Sequence, residues 1–253
     1  MKSRLNCEVN KVNSKFLSLW EGHFLETTYR NYILHNARTQ QVLNFDTENL
    51  DESTKRLLAG ATGARDLPSS EQFRGTAWPK IMLLRYSLAM HYSKGKNVLE
   101  TCSGLGWGAF LLASVTRNLT CIEKDIQSVN LSRRLWQTNG TNYLNASVLQ
   151  IPIKDDQCDV VVAMECIEHF SFPDIRKYVG EVYRVLKPEG ILIGSSYFPE
   201  TREDADALCS TNEFHLHICT KQEINQLLSA IGFKRVRVFS NRLFITARKP
   251  SSA

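Results

Sequence analysis

The stretch Val98-Leu-Glu-Thr-Cys-Ser-Gly104-Leu-Gly106-Trp-Gly108 sets three glycines at two-residue spacing directly after a short apolar run. Glycine lets a chain turn sharply out of a strand and bring its backbone against a ligand, with the amides of the next helix facing it. Glu123 closes the following apolar run, about 20 residues on, where an acid can accept both hydroxyls of a ribose. Taken alone, this spacing fits G-x-G-x-x-[GA] and a dinucleotide as well as any other nucleoside. Glu100 separates the readings. It stands inside the first run, where it would repel the pyrophosphate a dinucleotide presents at such a turn. S-adenosylmethionine presents an amino group and a sulfonium there, and an acid attracts both.

The frame that must position these residues begins at Asn97, where short apolar runs start to alternate with helical periodicity. Strands are expected at 98–101, 120–123, 147–150, 159–164 and 191–194. Helices are expected through Leu111 to Val115, from Ile126 to Gln137, from Asp174 to Leu186 and from Lys221 to Ala230. Asp159–Met164 is apolar throughout, as in a strand buried on both faces of a parallel sheet. Gly232 stops the last helix, and two strands follow at 235–239 and 243–247. Only Ser240, Asn241 and Arg242 link them, which permits a hairpin and forbids a parallel crossover. The expected fold is α/β: a Rossmann-like, doubly wound, mostly parallel seven-stranded sheet with an antiparallel last strand.

Residues 1–80 differ. Phe16, Trp20 and Phe24 recur at helical spacing, 46–54 is largely polar, and 60–70 reads as an irregular linker. Pro79 opens a helix that carries Ile81, Leu84 and Leu88 on one face. We therefore expect an N-terminal helical cap over 1–80 and a catalytic domain over 81–253, with the cap closing on the substrate side through Trp20, Tyr29 or Tyr32.

The chain has 253 residues, 43% hydrophobic and 23% charged, and a formal net charge of +5. These values exclude a disordered chain. No run approaches the ~18 apolar residues of a membrane span, and the first ten residues lack the apolar core of a secretory signal. The basic residues are dispersed rather than gathered on a stripe, which argues against a nucleic-acid partner. Seven cysteines without a C-x-x-C pair suggest reduced thiols and a cytoplasmic location.

From about Arg85 to the C-terminus the sequence resembles the class I S-adenosylmethionine-dependent methyltransferases, in particular the type 11 group. The matching pieces are Arg85-Tyr86, the glycine stretch, Glu123, Ile151-Pro152-Ile153, Cys158 to His169 and Arg184-Val-Leu-Lys-Pro-Glu-Gly190. The resemblance implies S-adenosyl-L-methionine as cofactor. It assigns Arg85 and Tyr86, Glu100, Gly104, Gly106 and Glu165 to the methionine and ribose end, and Glu123 to the ribose hydroxyls. Ser147, with Val148, takes the adenine position, where the family usually has an aspartate; a neutral hydroxyl accepts a weaker hydrogen bond than a carboxylate.

Methyl transfer to a hydroxyl benefits from a base, whereas an amine needs only to be unprotonated. Ligands bind outside the carboxyl ends of such sheets, so the base should follow the fourth or fifth strand. His215, in Asn212-Glu-Phe-His-Leu-His217, is the first candidate and His169 its competitor. No metal site is expected from His215 and His217, which share a side only in an extended segment. The implied acceptor is a hydroxyl or amine of a small molecule or a glycan intermediate, in cell-surface or specialised-metabolite synthesis.

Overall fold

The computed structural model describes residues 36–61, 67–73, 75–238 and 245–251. The helix expected around Phe16, Trp20 and Phe24, and the lid residues Trp20, Tyr29 and Tyr32, lie outside the described residues.

Among the described residues the chain forms α1 (Ala37–Leu43), α2 (Glu52–Gly60), α3 (Trp78–Ser93), β1 (Asn97–Thr101), α4 (Trp107–Leu112), β2 (Asn118–Glu123), α5 (Ile126–Trp136) and β3 (Thr141–Asn145). There follow β4 (Cys158–Met164), α6 (Phe172–Val185), β5 (Leu186–Ser195), α7 (Arg202–Cys209), α8 (Lys221–Ile231), β6 (Lys234–Val238) and β7 (Ile245–Arg248). The seven strands lie in the order β3-β2-β1-β4-β5-β7-β6. β7 runs antiparallel to both β5 and β6, as the short link between the last two strands requires.

Local chemistry sets many of the helix starts. Asp125, Ser171, Thr201 and Thr220 each accept a backbone N–H of the first turn through a side-chain oxygen. Thr220 and Glu223 form a reciprocal capping box at α8, and Gly232 ends that helix at φ 120°.

Two apolar layers sandwich the sheet. Val98, Cys121, Val160 and Val162 face α3, α4 and α5, while Leu99, Ile122, Val161 and Leu192 face α6 and α8. Consecutive β4 residues alternate between the layers, which explains why that strand is apolar throughout.

Three expectations are corrected. The third strand is Thr141–Asn145, not 147–150, which is turn. Its alternation of buried Thr141 and Tyr143 with exposed Asn142 and Asn145 hides it from a search for an apolar run. The fifth strand, expected at 191–194, is Leu186–Ser195: Cys158 pairs Leu186 and Val160 pairs Ile191, leaving 187–190 bulged out. A helix that was not expected, α2, starts inside the polar stretch 46–54, its start fixed by Asp51 accepting from Ser53 and Thr54 N–H.

The described part of the N-terminal region is not separate from the sheet. Val42 and Leu67 are buried in the same cluster as Val98 and Leu111. Arg38 donates to the Phe110 carbonyl at 2.8 Å, Phe45 stacks 4.9 Å from Trp136, and Arg134 pairs with Asp51 at 3.1 Å. These contacts dock α1 and α2 on α4 and α5. The boundary expected at residue 80 falls within α3, which begins at Trp78.

Candidate active site

The turn out of β1 holds Cys102, Gly104 and Gly106 at φ 55°, 53° and 80°, a left-handed region that disfavours side chains. The glycines serve different ends. A Cβ at Gly106 would run into Ser132 Oγ and approach Trp136 Cδ1 to 3.1 Å, and one at Gly108 would enter the Tyr86 ring. Those two glycines let α4 pack against α5 and α3. A Cβ at Gly104 meets nothing within 4 Å, so this is the glycine whose backbone borders open space.

Glu123, at the end of β2 and 4% exposed, ties that turn to its own strand. Its Oε2 accepts from Gly104 N–H and its Oε1 from Asp125 N–H, both at 3.0 Å. The carboxylate is thereby fixed beside the Gly104 opening. Ser147 and Val148 follow β3 at the same edge. Ser147 is exposed and its Oγ accepts from Leu149 N–H at 3.2 Å, while Val148 is buried. Asn145 joins this edge by donating to the Glu123 and Lys124 carbonyls at 3.1 and 2.8 Å. Nothing in the residue pattern around Asn145 signals that role.

The expected methionine contacts gather on α3, β1 and β4. Arg85, buried on α3, pairs its Nη1 with Glu165 Oε1 at 2.9 Å and lies over the Trp78 ring. Glu165 follows β4 at φ 47° and also accepts from Ser195 Oγ at 3.0 Å. Two residues assigned separately by the sequence thus form one ion pair. Tyr86 donates its hydroxyl to Glu100 Oε1 at 2.8 Å. Burial pushes the Glu100 carboxyl up to about 8, against the Tyr86 hydrogen bond that favours the ionised form. Its other oxygen, Oε2, is buried without a hydrogen-bond partner.

At the ends of β4 and β5 the two candidate bases come together. The Glu168 carbonyl accepts from Leu216 N–H at 2.8 Å, which docks the 214–217 segment onto the end of β4. As a result the His169 and His215 rings lie 5.5 Å apart, with Tyr197 6.1 Å from His215. His169 Nδ1 donates to the Phe214 carbonyl at 2.9 Å. Burial first, and the neighbouring His169 second, lower the His215 pKa below its ordinary value, so the ring is neutral at pH 7. His217 turns away, stacking on Phe172 beside Arg202 and Glu223. Glu168 is 1% exposed, and its carboxyl is raised to about 8 by burial and by the Glu165 charge. Sequence reading passed over it because only the docked 214–217 segment makes it part of a cluster.

The cysteine expectation is also corrected. Cys102 and Cys166 are joined as a disulfide, with Cα atoms 5.8 Å apart. The cause is topological: β1 and β4 are parallel neighbours, and each carries a cysteine just past its end. A separation of 64 residues conceals the pair in the sequence. Cys121, Cys158 and Cys219 are buried thiols, as core residues would be.

Residues 99–194 match a family model described as a methyltransferase domain. A relative from Mycolicibacterium smegmatis, named "Probable S-adenosylmethionine-dependent methyltransferase", is 29% identical over 177 residues, covering 68% of this chain and 65% of its own length. A fatty-acid O-methyltransferase of the same organism is 32% identical over 120 residues, 44% of this chain and 43% of its own. The chain thus matches less than two thirds of the length of either relative. A solved S-adenosylmethionine-dependent methyltransferase from Archaeoglobus fulgidus shares the fold at a TM-score of 0.56 and 14% identity, over 71% of this chain and 97% of that one. No helix among the described residues is long and apolar enough to cross a membrane.

Proposed function

We propose that this chain, which belongs to the class I S-adenosylmethionine-dependent methyltransferases, methylates a hydroxyl or amine of a small molecule or sugar-bearing intermediate. The observation that carries the reading is a shared edge. The Gly104 opening with Glu123 and the facing pair His169 and His215 all follow strand carboxyl ends of one sheet.

The residues present fit the cofactor. Glu100 lies buried at the end of β1, and an ammonium group placed beside it would draw its carboxyl into the ionised form. The Arg85–Glu165 pair offers a cation and an anion side by side, matching an amino acid's carboxylate and ammonium. Glu123 would hold the ribose hydroxyls, Gly104 and Gly106 would shape the turn beneath them, and Ser147 with Val148 would border the adenine. Bound there, S-adenosylmethionine supplies a methyl group already activated by a sulfonium.

The chain's own contribution is then to orient the acceptor and take its proton. His215 is neutral and lies in the segment after β5, at the same carboxyl edge of the sheet as the ends of β1 and β2. It is the base for an oxygen acceptor, with His169 beside it. Phe214 and Leu216, which flank His215, are 43% and 63% exposed. An apolar rim of this kind favours an acceptor with an apolar portion, and the relative named as a fatty-acid O-methyltransferase supports oxygen as the acceptor atom. The dispersed charge supports a small-molecule partner over a nucleic acid.

The test is transfer of labelled methyl from S-adenosylmethionine to a panel of hydroxylated lipids, glycans and amines. We expect label in an oxygen-linked product that chloroform extracts. Label only in protein or RNA would move the reading to a macromolecular acceptor. S-adenosylmethionine binding without transfer to any substrate would favour a non-catalytic subunit.

A further inference from the structure

We propose that Glu168, His169 and His215 form a binding site for one divalent transition-metal ion of the Zn²⁺ type. In the sequence the two histidines weighed together are His215 and His217, and the fold parts those two and brings Glu168 and His169 beside His215 instead. A carboxylate oxygen and one ring nitrogen from each histidine lie within 4.8 Å of one another. Tetrahedral ligands at ~2.0–2.1 Å from zinc stand about 3.3 Å apart, so modest rotation of the side chains closes the shell.

Hydrogen bonding sets which atoms carry lone pairs. His169 Nδ1 sits 2.9 Å from the Phe214 carbonyl and must donate to it, leaving Nε2 as the acceptor. A backbone carbonyl behind the ring is the usual outer support of a metal-bound histidine. Asn212 Oδ1 accepts from Phe214 N–H at 3.0 Å, so its amide nitrogen, 3.2 Å from His215 Nε2, donates. His215 Nε2 therefore also holds a lone pair. Glu168 adds a carboxylate that is 1% exposed and whose Oε2 has no hydrogen-bond partner. Glu168 Oε2 and His169 Nε2 thus converge as acceptors around a buried acid, and His215 Nε2 would complete the set by exchanging the Asn212 amide for the ion.

A second cluster, His217, Cys219 and Glu223, shows what a false site looks like. Glu223 is already taken by Arg202 at 3.0 Å and by Thr220 N–H at 2.8 Å, and the Arg202 guanidinium would repel a cation. Around Glu168 the guanidinium that acts on it, Arg85, is instead paired with Glu165.

Three protein ligands leave a fourth position open, which is the pattern of a reactive rather than a structural zinc site. If the preceding reading of this edge as the acceptor end holds, the acceptor's hydroxyl oxygen would occupy that position. The ion lowers the hydroxyl's pKa. In the ion-loaded protein His169 and His215 are ligands and not bases, so water takes the proton that the metal-free chain would pass to His215: the O–H bond breaks and the electron pair stays on oxygen.

The experiment is isothermal titration of Zn²⁺ into the chelator-treated full chain, with Mg²⁺ as the hard-cation control. We expect one equivalent of Zn²⁺ at micromolar affinity or tighter, and much weaker Mg²⁺ binding. Glu168→Gln, His169→Ala and His215→Ala should each weaken Zn²⁺ by at least about tenfold. The partly exposed His169→Ala covers the case in which Glu168→Gln does not fold. Absence of saturable Zn²⁺ binding overturns the proposal, as does binding that all three variants leave unchanged, which would place the ion on the thiols. S-adenosylhomocysteine titrated into the same samples keeps the two readings apart. Its binding without Zn²⁺ sinks the metal site alone, and Zn²⁺ without it sinks the methyltransferase reading alone.

Discussion

His215 and Glu100 show how burial sets the chemistry of single side chains. A base must be neutral to accept a proton, and desolvation holds His215 below its ordinary value. The acid limb of the kcat/KM profile should therefore lie below the ~6.5 of free imidazole, with a plateau by pH 7. His215→Ala should lower kcat by ~10²–10⁴ and leave S-adenosylhomocysteine affinity nearly unchanged. If that variant kept kcat within about threefold while His169→Ala collapsed, the base would be His169. Glu100 makes the opposite case. Its folded value of about 8 lies above the ~4.3 of an unfolded glutamate, so its folded state favours the protonated form. Its contribution is full below the unfolded value, is lost as pH rises through about 8, and is constant above. The urea midpoint should fall between pH 5 and 8, and Glu100→Gln should flatten part of that fall, Glu168 supplying another part. An undiminished fall in Glu100→Gln would remove Glu100 as a source. The sequence made Glu100 and Glu123 legible because their roles follow from place on a strand. It could not show the pairing of Arg85 with Glu165, or of Cys102 with Cys166, because each joins different elements.

At the scale of elements, the β1–α4 turn assigns separate duties to glycines that look alike in sequence. Gly106→Ala would force a methyl against Ser132 at a left-handed φ. Overpacking and strain of this kind cost ~1–3 kcal/mol, so thermal unfolding should shift down by several degrees. Gly104→Ala meets open space, so it should cost less stability and more S-adenosylhomocysteine affinity. Equal losses in both assays for both variants would mean that the turn acts as a single structural unit. The alternation of strands and helices was readable because β1, β2 and β4 are buried on both faces and form apolar runs. β3 escaped because it lies at the sheet edge, with exposed residues interleaved. α2 escaped because its sequence is mostly polar, and only the Asp51 cap announces it.

At the scale of the whole molecule, one sheet edge gathers residues from α3 and from the ends of five strands, and the N-terminal helices lean on the same core. Thr39 and Val42 are buried there. Removing residues 1–66 should therefore lower the unfolding temperature as well as activity, and full stability in the truncated chain would confine the segment to a lid role. The central claim is that this edge holds S-adenosylmethionine through Gly104 and Glu123, and isothermal titration with S-adenosylhomocysteine and with NAD tests it most directly. We predict micromolar binding of S-adenosylhomocysteine, weakened by ~1–3 kcal/mol in Glu123→Ala, the cost of losing hydrogen bonds to a charged group. Micromolar NAD binding with none of S-adenosylhomocysteine, or an unchanged affinity in a folded Glu123→Ala protein, would contradict it.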